Sequence, residues 1–214
     1  LLIISLSILS FMACSHKPEK TEQTNTLLLP KVIPTYQIDS NRLQLKAKEA
    51  LIYNKKHQLN TNYCILIDMQ IHSGRDRIFL WDFKQNKIIL SGLCSHGCGD
   101  EPWGLDETKN SPIFSNMPDS HLSSLGKYKI GKRGYSNYGI HVNYKLHGLE
   151  KTNDNAFDRI IVLHSFNNLE NNEIHPYKAI ESWGCPAVSD NMMTKMDQRL
   201  SKTEKSVLMW IYND

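Results

Sequence analysis

The chain lacks several features by which large classes of proteins are recognised. It has no block of basic residues, and its net charge of +3 is spread through both halves, so nothing in it points to nucleic acid as a partner. It also shows no internal repeat and no glycine-rich dinucleotide-binding loop, so neither a repeat architecture nor a nucleotide-cofactor domain is expected. The whole chain has 214 residues, 40% of them hydrophobic, which suffices for one globular domain.

The N-terminal residues have the composition of an export signal. Residues 1–13 carry no charge, are too short to span a bilayer and end at the small Ala13, as a signal peptide does. The closing Phe-Met-Ala-Cys resembles the lipobox of bacterial lipoproteins, which implies that Cys14 is lipidated and that residues 14–30 are a polar tether. The alternative is a plain secretory signal. Both kinds of signal predict export. The lipoprotein signal also predicts that a lipid anchors the protein in the cell envelope, on the periplasmic side of the outer membrane.

The state of each other cysteine has to be considered separately, because an exported chain works in an oxidising environment where disulfides form. Cys64 lies in an apolar run and is expected to be a buried, inert side chain. Cys94 and Cys98 are close in sequence and form a local disulfide, bind a metal together with His96, or stay free. The sequence leaves these three possibilities open.

Strand patterns dominate the chain after a helical start. We expect a helix over residues 39–58, capped by Asp39 or Ser40, within a helical lead-in at 31–60 that precedes the main domain at 61–214. Strands are expected at 63–71, 77–83 and 87–93, forming an antiparallel meander, then at 127–130, 138–146, 159–163 and 207–212, with a second helix at 190–200. The predicted class is therefore mainly β, a sandwich or barrel with short covering helices.

Two segments carry residues with catalytic chemistry. His164 follows the apolar run 160–163, and Cys185 follows Gly184, whose missing side chain allows a tight turn with backbone N–H groups beside the sulfur. A free thiol with a pKa of about 8.5 is mostly protonated at neutral pH, so Cys185 needs an imidazole as its base, and His164 is the candidate. The hydroxyl or the carbonyl of Ser165 would orient that imidazole. Taken singly, such residues are more often parts of a core.

Together these segments resemble the catalytic domain of YkuD-like L,D-transpeptidases. The family signature is a histidine on a strand, followed later by Ser/Thr-His-Gly-Cys. The matching residues here are His164-Ser165 and Ser182-Trp183-Gly184-Cys185. Upstream, residues 123–131 resemble a glycine-containing strand of the family, and the resemblance covers residues 60–190. It is closest to a lipoprotein-like branch that carries Ser-Trp-Gly-Cys-Pro.

The resemblance implies a role for each matching residue. Cys185 is the nucleophile and His164 its base, and Ser182, Trp183 and Gly184 form the turn and the oxyanion hole. Trp183 replaces the usual histidine, and Pro186-Ala187 replace residues that are usually polar or basic and that help to place the donor peptide and its carboxylate. Arg133 is a candidate for that task because its planar guanidinium suits a carboxylate, the alternative being a solvated hairpin charge.

A second segment, Ser-His-Gly-Cys at 95–98, matches the family signature more literally. Chain order argues against it, because the family nucleophile follows its base, whereas Cys98 precedes His164. His96 is a candidate for binding substrate at the edge of the cleft, or else belongs to a structural loop. His141 and His147 are rival bases, but they lie farther from Cys185 and follow less apolar strands.

The resemblance implies acyl transfer on cell-wall peptide without a metal or cofactor. The Cys185 thiolate attacks the third residue of a wall tetrapeptide, a thioester forms, and an amine from another stem peptide or an envelope protein receives the acyl group. With water as acceptor the same chemistry gives an L,D-carboxypeptidase or hydrolase. The rival from another class is a non-catalytic envelope lipoprotein that binds zinc through Cys94, His96, Cys98 and His121.

Overall fold

Two α-helices, two short 3₁₀-helices and eight strands occur in the part of the chain that the computed structural model describes, residues 38–100, 107–109 and 111–214. The α-helices and strands are α1 (Ser40–Lys56), β1 (Tyr63–Asp68), β2 (Ile78–Asp82), β3 (Lys87–Gly92), β4 (Gly126–Tyr135), β5 (Val142–Gly148), β6 (Val162–Ser165), β7 (Ala187–Val188), α2 (Asp190–Leu200) and β8 (Leu208–Tyr212). The predicted signal peptide, the lipidated Cys14 and the tether lie outside the described residues and stay predictions.

Local signals explain where both helices begin. Asp39 precedes α1, and its carboxylate accepts hydrogen bonds from the backbone N–H groups of Asn41 (3.1 Å) and Arg42 (3.0 Å). Ser189 does the same for α2, where its hydroxyl accepts from the N–H of Met192 (3.3 Å). The helices pack on the sheet, α1 against β1 and β8, and α2 against β3 and β6. Neither described helix is long and apolar enough to cross a membrane.

The strands form one mixed sheet that curls towards a barrel, in the order β3-β2-β1-β8-β4-β5-β6-β7. Antiparallel pairing of β1, β2 and β3 confirms the predicted meander. The last strand, β8, lies in the middle of the sheet, parallel to β1 and antiparallel to β4, and its continuous apolar sequence is almost entirely buried. The predicted class, mainly β with short covering helices, is confirmed.

The strands differ from the predicted ones in several details. β1 ends at Asp68 rather than at residue 71, and β5 begins at Val142 rather than at residue 138. β4 continues past Ile130 to Tyr135 through a register shift against β5 that lies between Ile130 and Arg133. β6 begins only at Val162, because Ile160 has a φ of +58°, which no extended strand accommodates. β7 is missing from the prediction because a strand of two residues is too short to show alternation.

The short strand β7 positions the candidate site. β6 and β7 are parallel neighbours, with His164 opposite Ala187 and Ser165 opposite Val188. Cys185 comes just before β7 and so lies beside the beginning of β6, while His164 lies near its end. The pairing of these two strands therefore brings together two residues that are distant in sequence.

Candidate active site

Cys185 and His164 line one cavity of about 690 Å³. Cys185 is half-buried, and its sulfur accepts a hydrogen bond from the N–H of Val162 (3.4 Å), the first residue of β6. The carbonyl oxygen of Ile160 lies 3.9 Å from the same sulfur, within reach of the thiol proton. Backbone groups of the segment before His164 thus hold the sulfur at the cavity wall.

The imidazole of His164 has a defined tautomer. Its Nδ1 lies 2.9 Å from the carbonyl oxygen of Ser165. A carbonyl only accepts hydrogen bonds, so Nδ1 carries the proton and Nε2 is left as the basic nitrogen. The hydroxyl of Ser165 is engaged elsewhere, where it accepts from the N–H of Ile140 (3.0 Å). Of the two groups of Ser165 that the sequence offers, the carbonyl is the one that contacts the ring.

Burial sets the protonation states of this pair at rest. It lowers the pKa of His164 and raises the pKa of the Cys185 thiol. The N–H of Val162 and the positive charges of Arg159 and Lys145 act in the opposite direction on the thiol pKa. Both shifts favour a neutral thiol beside a neutral imidazole. The arrangement therefore suits general-base activation of the thiol at the moment of attack rather than a preformed ion pair.

The turn before Cys185 depends on Gly184. Its φ is +99°, and a Cβ at this position would lie 2.7 Å from the carbonyl oxygen of Leu122, so only glycine fits without displacing backbone. The hydroxyl of Ser182 closes the turn by donating to the carbonyl of Cys185 (2.6 Å) and accepting from the N–H of Gly184 (3.2 Å). Ser182 and Gly184 thereby fix the backbone that carries the sulfur.

One backbone donor in the turn is available for an oxyanion. The N–H of Gly184 is taken by Ser182, whereas the N–H of Cys185 has no acceptor among the residues that the structure describes. An N–H next to a nucleophilic sulfur is where an oxyanion hole places its donor. The oxyanion contact expected at this turn therefore falls to Cys185 itself rather than to Gly184.

The side chain of Trp183 points to the surface, not into the protein. It is 62% exposed and stacks on the ring of His121, with the ring centroids 5.0 Å apart. Trp183 and His121 both line the cavity, as does Tyr138, whose ring lies 5.6 Å from that of His164. The tryptophan that replaces the family's usual histidine thus forms an aromatic wall at the cavity.

The structure places neither of the two predicted substrate-binding residues at the cavity. His96 is 1% exposed. Its Nδ1 accepts from Arg77 (2.9 Å), so its Nε2 carries the proton and donates to the Thr108 carbonyl (2.7 Å). Arg133 forms a bidentate ion pair with Asp197 of α2 (2.8 and 2.9 Å). The ring nitrogens of His96 and the Nε–Nη2 fork of Arg133 are thus occupied by other groups of the protein, and neither side chain lines the cavity, which corrects the expectation that they contact substrate there.

His96 belongs to a buried polar cluster behind the nucleophile segment. Arg77 is fully buried there and also donates to the carbonyl of Cys94 (2.8 Å), and burial lowers its pKa to about 10. Glu181, also buried, accepts from the hydroxyl of Thr108 (2.5 Å) and lies 3.6 Å from His96 Nε2. The loop bearing His96 pairs with Ser182 through two backbone hydrogen bonds of 2.8 Å. The segment Ser-His-Gly-Cys at residues 95–98 therefore supports the turn that precedes Cys185.

A stability measurement tests this structural role. We expect His96→Ala to lower the free energy of unfolding by about 2–4 kcal/mol, because it leaves a cavity and removes an acceptor from the buried Arg77. The measurement is urea denaturation, with His57→Ala, an exposed position, as the control that changes stability by less than about 1 kcal/mol. A stable His96→Ala protein with impaired turnover would instead assign His96 to substrate binding.

The remaining cysteines and histidines do not join the site. Cys94 and Cys98 are both buried, and of the possibilities left open the disulfide between them is absent. Within residues 38–100, 107–109 and 111–214, no three His, Cys, Asp or Glu side chains converge as a metal site. The zinc alternative thus has no geometric support in this part of the chain. His141 stacks on Tyr135 and His147 on Phe157, and neither rival base lines the cavity.

Four charged residues that were not predicted from the sequence line the cavity: Asp119, Asp158, Arg159 and Glu181. Arg159 lines the wall beside Cys185, directly before the strained Ile160. Its only signal in the sequence is that it immediately precedes an apolar run ending in His164. Which groups it contacts depends on a loop far away in sequence, so its role was not visible there.

Fold and site together define a class of protein before any comparison is made. A mainly β domain presents a cysteine and a carbonyl-oriented histidine to one cavity, an arrangement that thiol-dependent enzymes use. The family model described as the L,D-transpeptidase catalytic domain matches residues 35–212. The chain belongs to this family.

Solved structures with a similar fold include the helical cell shape determining protein Pgp2 from Campylobacter jejuni, at 11% identity and a TM-score of 0.44, covering 71% of this chain and 48% of that one. Another is the Ldtfm-avibactam carbamoyl enzyme, at 12% identity and a TM-score of 0.40, covering 72% and 49%. The chain thus spans about half the length of these proteins. No curated protein matches the sequence.

Proposed function

We propose that this protein is a peptidoglycan L,D-transpeptidase that acts through a thioester on Cys185. The observation that carries the proposal is the pairing, in one cavity, of the Cys185 sulfur with an imidazole whose Nδ1 is held by the Ser165 carbonyl. That geometry leaves Nε2 of His164 free to accept the thiol proton. Membership of the family supports the proposed substrate class, a stem peptide of the bacterial wall.

In the first half-reaction the thiol becomes a nucleophile. His164 Nε2 takes the proton of Cys185 as the sulfur attacks the carbonyl carbon of the third residue of a tetrapeptide. The N–H of Cys185 donates to the oxyanion that forms. The intermediate then collapses, the peptide bond breaks, and the proton on His164 passes to the leaving amine of D-alanine. A thioester and a neutral imidazole remain.

In the second half-reaction an amine replaces the sulfur. His164 Nε2 accepts a proton from the acceptor amine, which attacks the thioester carbonyl, and the sulfur leaves and regains a proton from the imidazole. The acceptor we favour is the side-chain amine of a third stem residue, which gives a three-to-three crosslink. These steps need only groups of the protein and the two substrates.

The proposed location matches the proposed substrate. Wall peptide lies outside the cytoplasm, so the enzyme must be exported to reach it. The apolar residues 1–13 followed by Cys14 support export with a lipid anchor in the envelope, facing the periplasm.

Mass spectrometry with purified disaccharide-tetrapeptide tests the function. We expect the protein to gain the mass of the substrate minus D-alanine, on the peptide that contains Cys185, and crosslinked dimers to accumulate. The Cys185→Ala variant is the matched control and should form neither. Disaccharide-tripeptide without dimers would show that water is the acceptor and would replace the transferase by a carboxypeptidase. Unchanged substrate with folded wild-type protein would contradict both.

A further inference from the structure

Arg159 is held by one loop through four hydrogen bonds. Its Nη1 donates to the carbonyl of Ser115 (2.9 Å) and the hydroxyl of Ser124 (3.2 Å). Its Nη2 donates to the hydroxyl of Ser120 (3.2 Å) and the carbonyl of Leu122 (2.6 Å). All four acceptors are neutral oxygens. In the part of the chain that the structure describes, no carboxylate lies within ion-pair distance of Arg159. Burial lowers the pKa of Arg159, and Asp119, which lines the same cavity, acts from a longer distance to raise it.

The number of donors decides what this guanidinium does. An arginine side chain has five N–H groups, and binding a carboxylate in the usual bidentate way takes two of them. Four N–H groups of Arg159 are already occupied by the loop. Arg159 therefore cannot present the fork that a substrate carboxylate needs, although it lines the cavity.

The loop that Arg159 holds is the one against which the nucleophile turn packs. Within residues 115–124, the hydroxyl of Ser123 donates to the carbonyl of Gly184 (3.1 Å). The carbonyl of Leu122, which Arg159 binds, is the atom that a Cβ at position 184 would approach to 2.7 Å. A shift of this loop would move Gly184 and, with it, the sulfur of the next residue.

The backbone after Arg159 contacts the sulfur directly. Ile160 adopts a left-handed conformation that is unfavourable for a β-branched residue, and this turns its carbonyl towards Cys185. Val162 donates its N–H to the same sulfur. Arg159 thus binds the loop at residues 115–124 through its side chain and directly precedes the Ile160–Val162 backbone, and both of these segments hold Cys185 in place.

We propose that Arg159 is a positioning residue of the active site, which clamps the loop at residues 115–124 against Gly184 and leaves its charge beside the Cys185 sulfur. The clamp fixes the nucleophile, and the charge stabilises the thiolate and the oxyanion. That charge also lowers the pKa of Cys185 against the effect of burial. Arg159 supplies the positive charge that the residues directly after Cys185 cannot supply, because Pro186 and Ala187 are uncharged. The expected effect on turnover rests on the proposed function, whereas the expected effect on thiol reactivity does not.

Two substitutions separate the clamp from the charge. Arg159→Lys keeps the charge but cannot reach four acceptors, and Arg159→Met removes both. In the full chain, the pH dependence of Cys185 alkylation by iodoacetamide, followed by peptide mass spectrometry, reports the thiol pKa. We expect that pKa to rise by about one unit in Arg159→Met and to change little in Arg159→Lys. We expect kcat on disaccharide-tetrapeptide to fall about 100-fold in Arg159→Met and about 10-fold in Arg159→Lys, with KM nearly constant.

The matched control is Arg199→Met, since Arg199 donates to the Lys195 carbonyl of its own helix (3.0 Å). It should leave the alkylation profile and kcat unchanged. If Arg159→Met does not fold, the double variant Ser120→Ala, Ser124→Ala removes two of the four acceptors and should lower kcat in the same direction. A raised KM with unchanged kcat, or a wild-type alkylation profile in folded Arg159→Met, would overturn the proposal. Shifted alkylation in a wild-type protein that converts no tetrapeptide would refute only the proposed function.

Discussion

The Cys185→Ala variant is expected to lose conversion of disaccharide-tetrapeptide by at least about 10³-fold, because no other thiol lines the cavity in the described part of the chain. Alanine fits the half-buried position, so the fold should survive. Turnover is measured by chromatography of the released D-alanine and of the crosslinked or shortened peptide products. The circular dichroism spectrum of the variant establishes that it is folded.

Cys98→Ala is the control for this variant because it belongs to the segment that matches the family signature literally. Cys98 is 2% exposed, and its link to the nucleophile segment is its backbone N–H, which donates to the carbonyl of Ser182 (2.8 Å). Alanine retains that N–H, so the variant should keep a measurable part of its activity. Equal loss in the two folded variants would contradict the assignment of Cys185 as the nucleophile.

The His164→Gln variant should lower kcat/KM by about 10²–10⁴-fold, the usual contribution of a general base. The pH profile supplies the second measurement. Burial lowers the pKa of His164, so in the wild type the base form persists below the ordinary histidine pKa of about 6.5, and activity is lost only as the pH falls through that lowered value. In His164→Gln this acid limb disappears, and the residual rate rises with pH as more of Cys185 becomes thiolate.

His147→Gln is the matched control for the pH measurement, since burial also lowers the pKa of His147 but its ring stacks on Phe157 away from the cavity. It should keep both the rate and the acid limb. If the limb disappears in His147→Gln and persists in His164→Gln, the base has been assigned to the wrong histidine.

Local patterns were enough to predict most of the fold. The apolar runs that became β1, β2, β3 and β8 have the length and composition of strands, and Asp39 and Ser189 cap the two helices as their positions indicate. The pairing of His164 with Cys185 was predicted from a motif and its order along the chain. The structure adds its cause, which is the parallel pairing of β6 with a strand of only two residues.

The partners of charged side chains were not predictable from sequence. Arg133 was expected to bind a carboxylate, and it does bind one, but the carboxylate belongs to Asp197 on α2. The acceptors of Arg159 all come from residues 115–124, and those of Arg77 are His96, the Cys94 carbonyl and the Ile71 carbonyl. Except for that of Arg77 with Ile71, these contacts join segments that meet only after the sheet has formed, so no local pattern contains them.

The central place of β8 has a consequence for when the domain folds. β8 is the strand that pairs with β1 on one side and with β4 on the other, whereas at the far edges the loop after β3 contacts Ser182 and Ala187. During synthesis from the N-terminus, the junction of β1 with β4 in the sheet cannot form until residues 208–212 have been made, so the sheet is completed late. Late completion of the sheet agrees with the export proposed above, in which the chain would cross a membrane before its folding is complete.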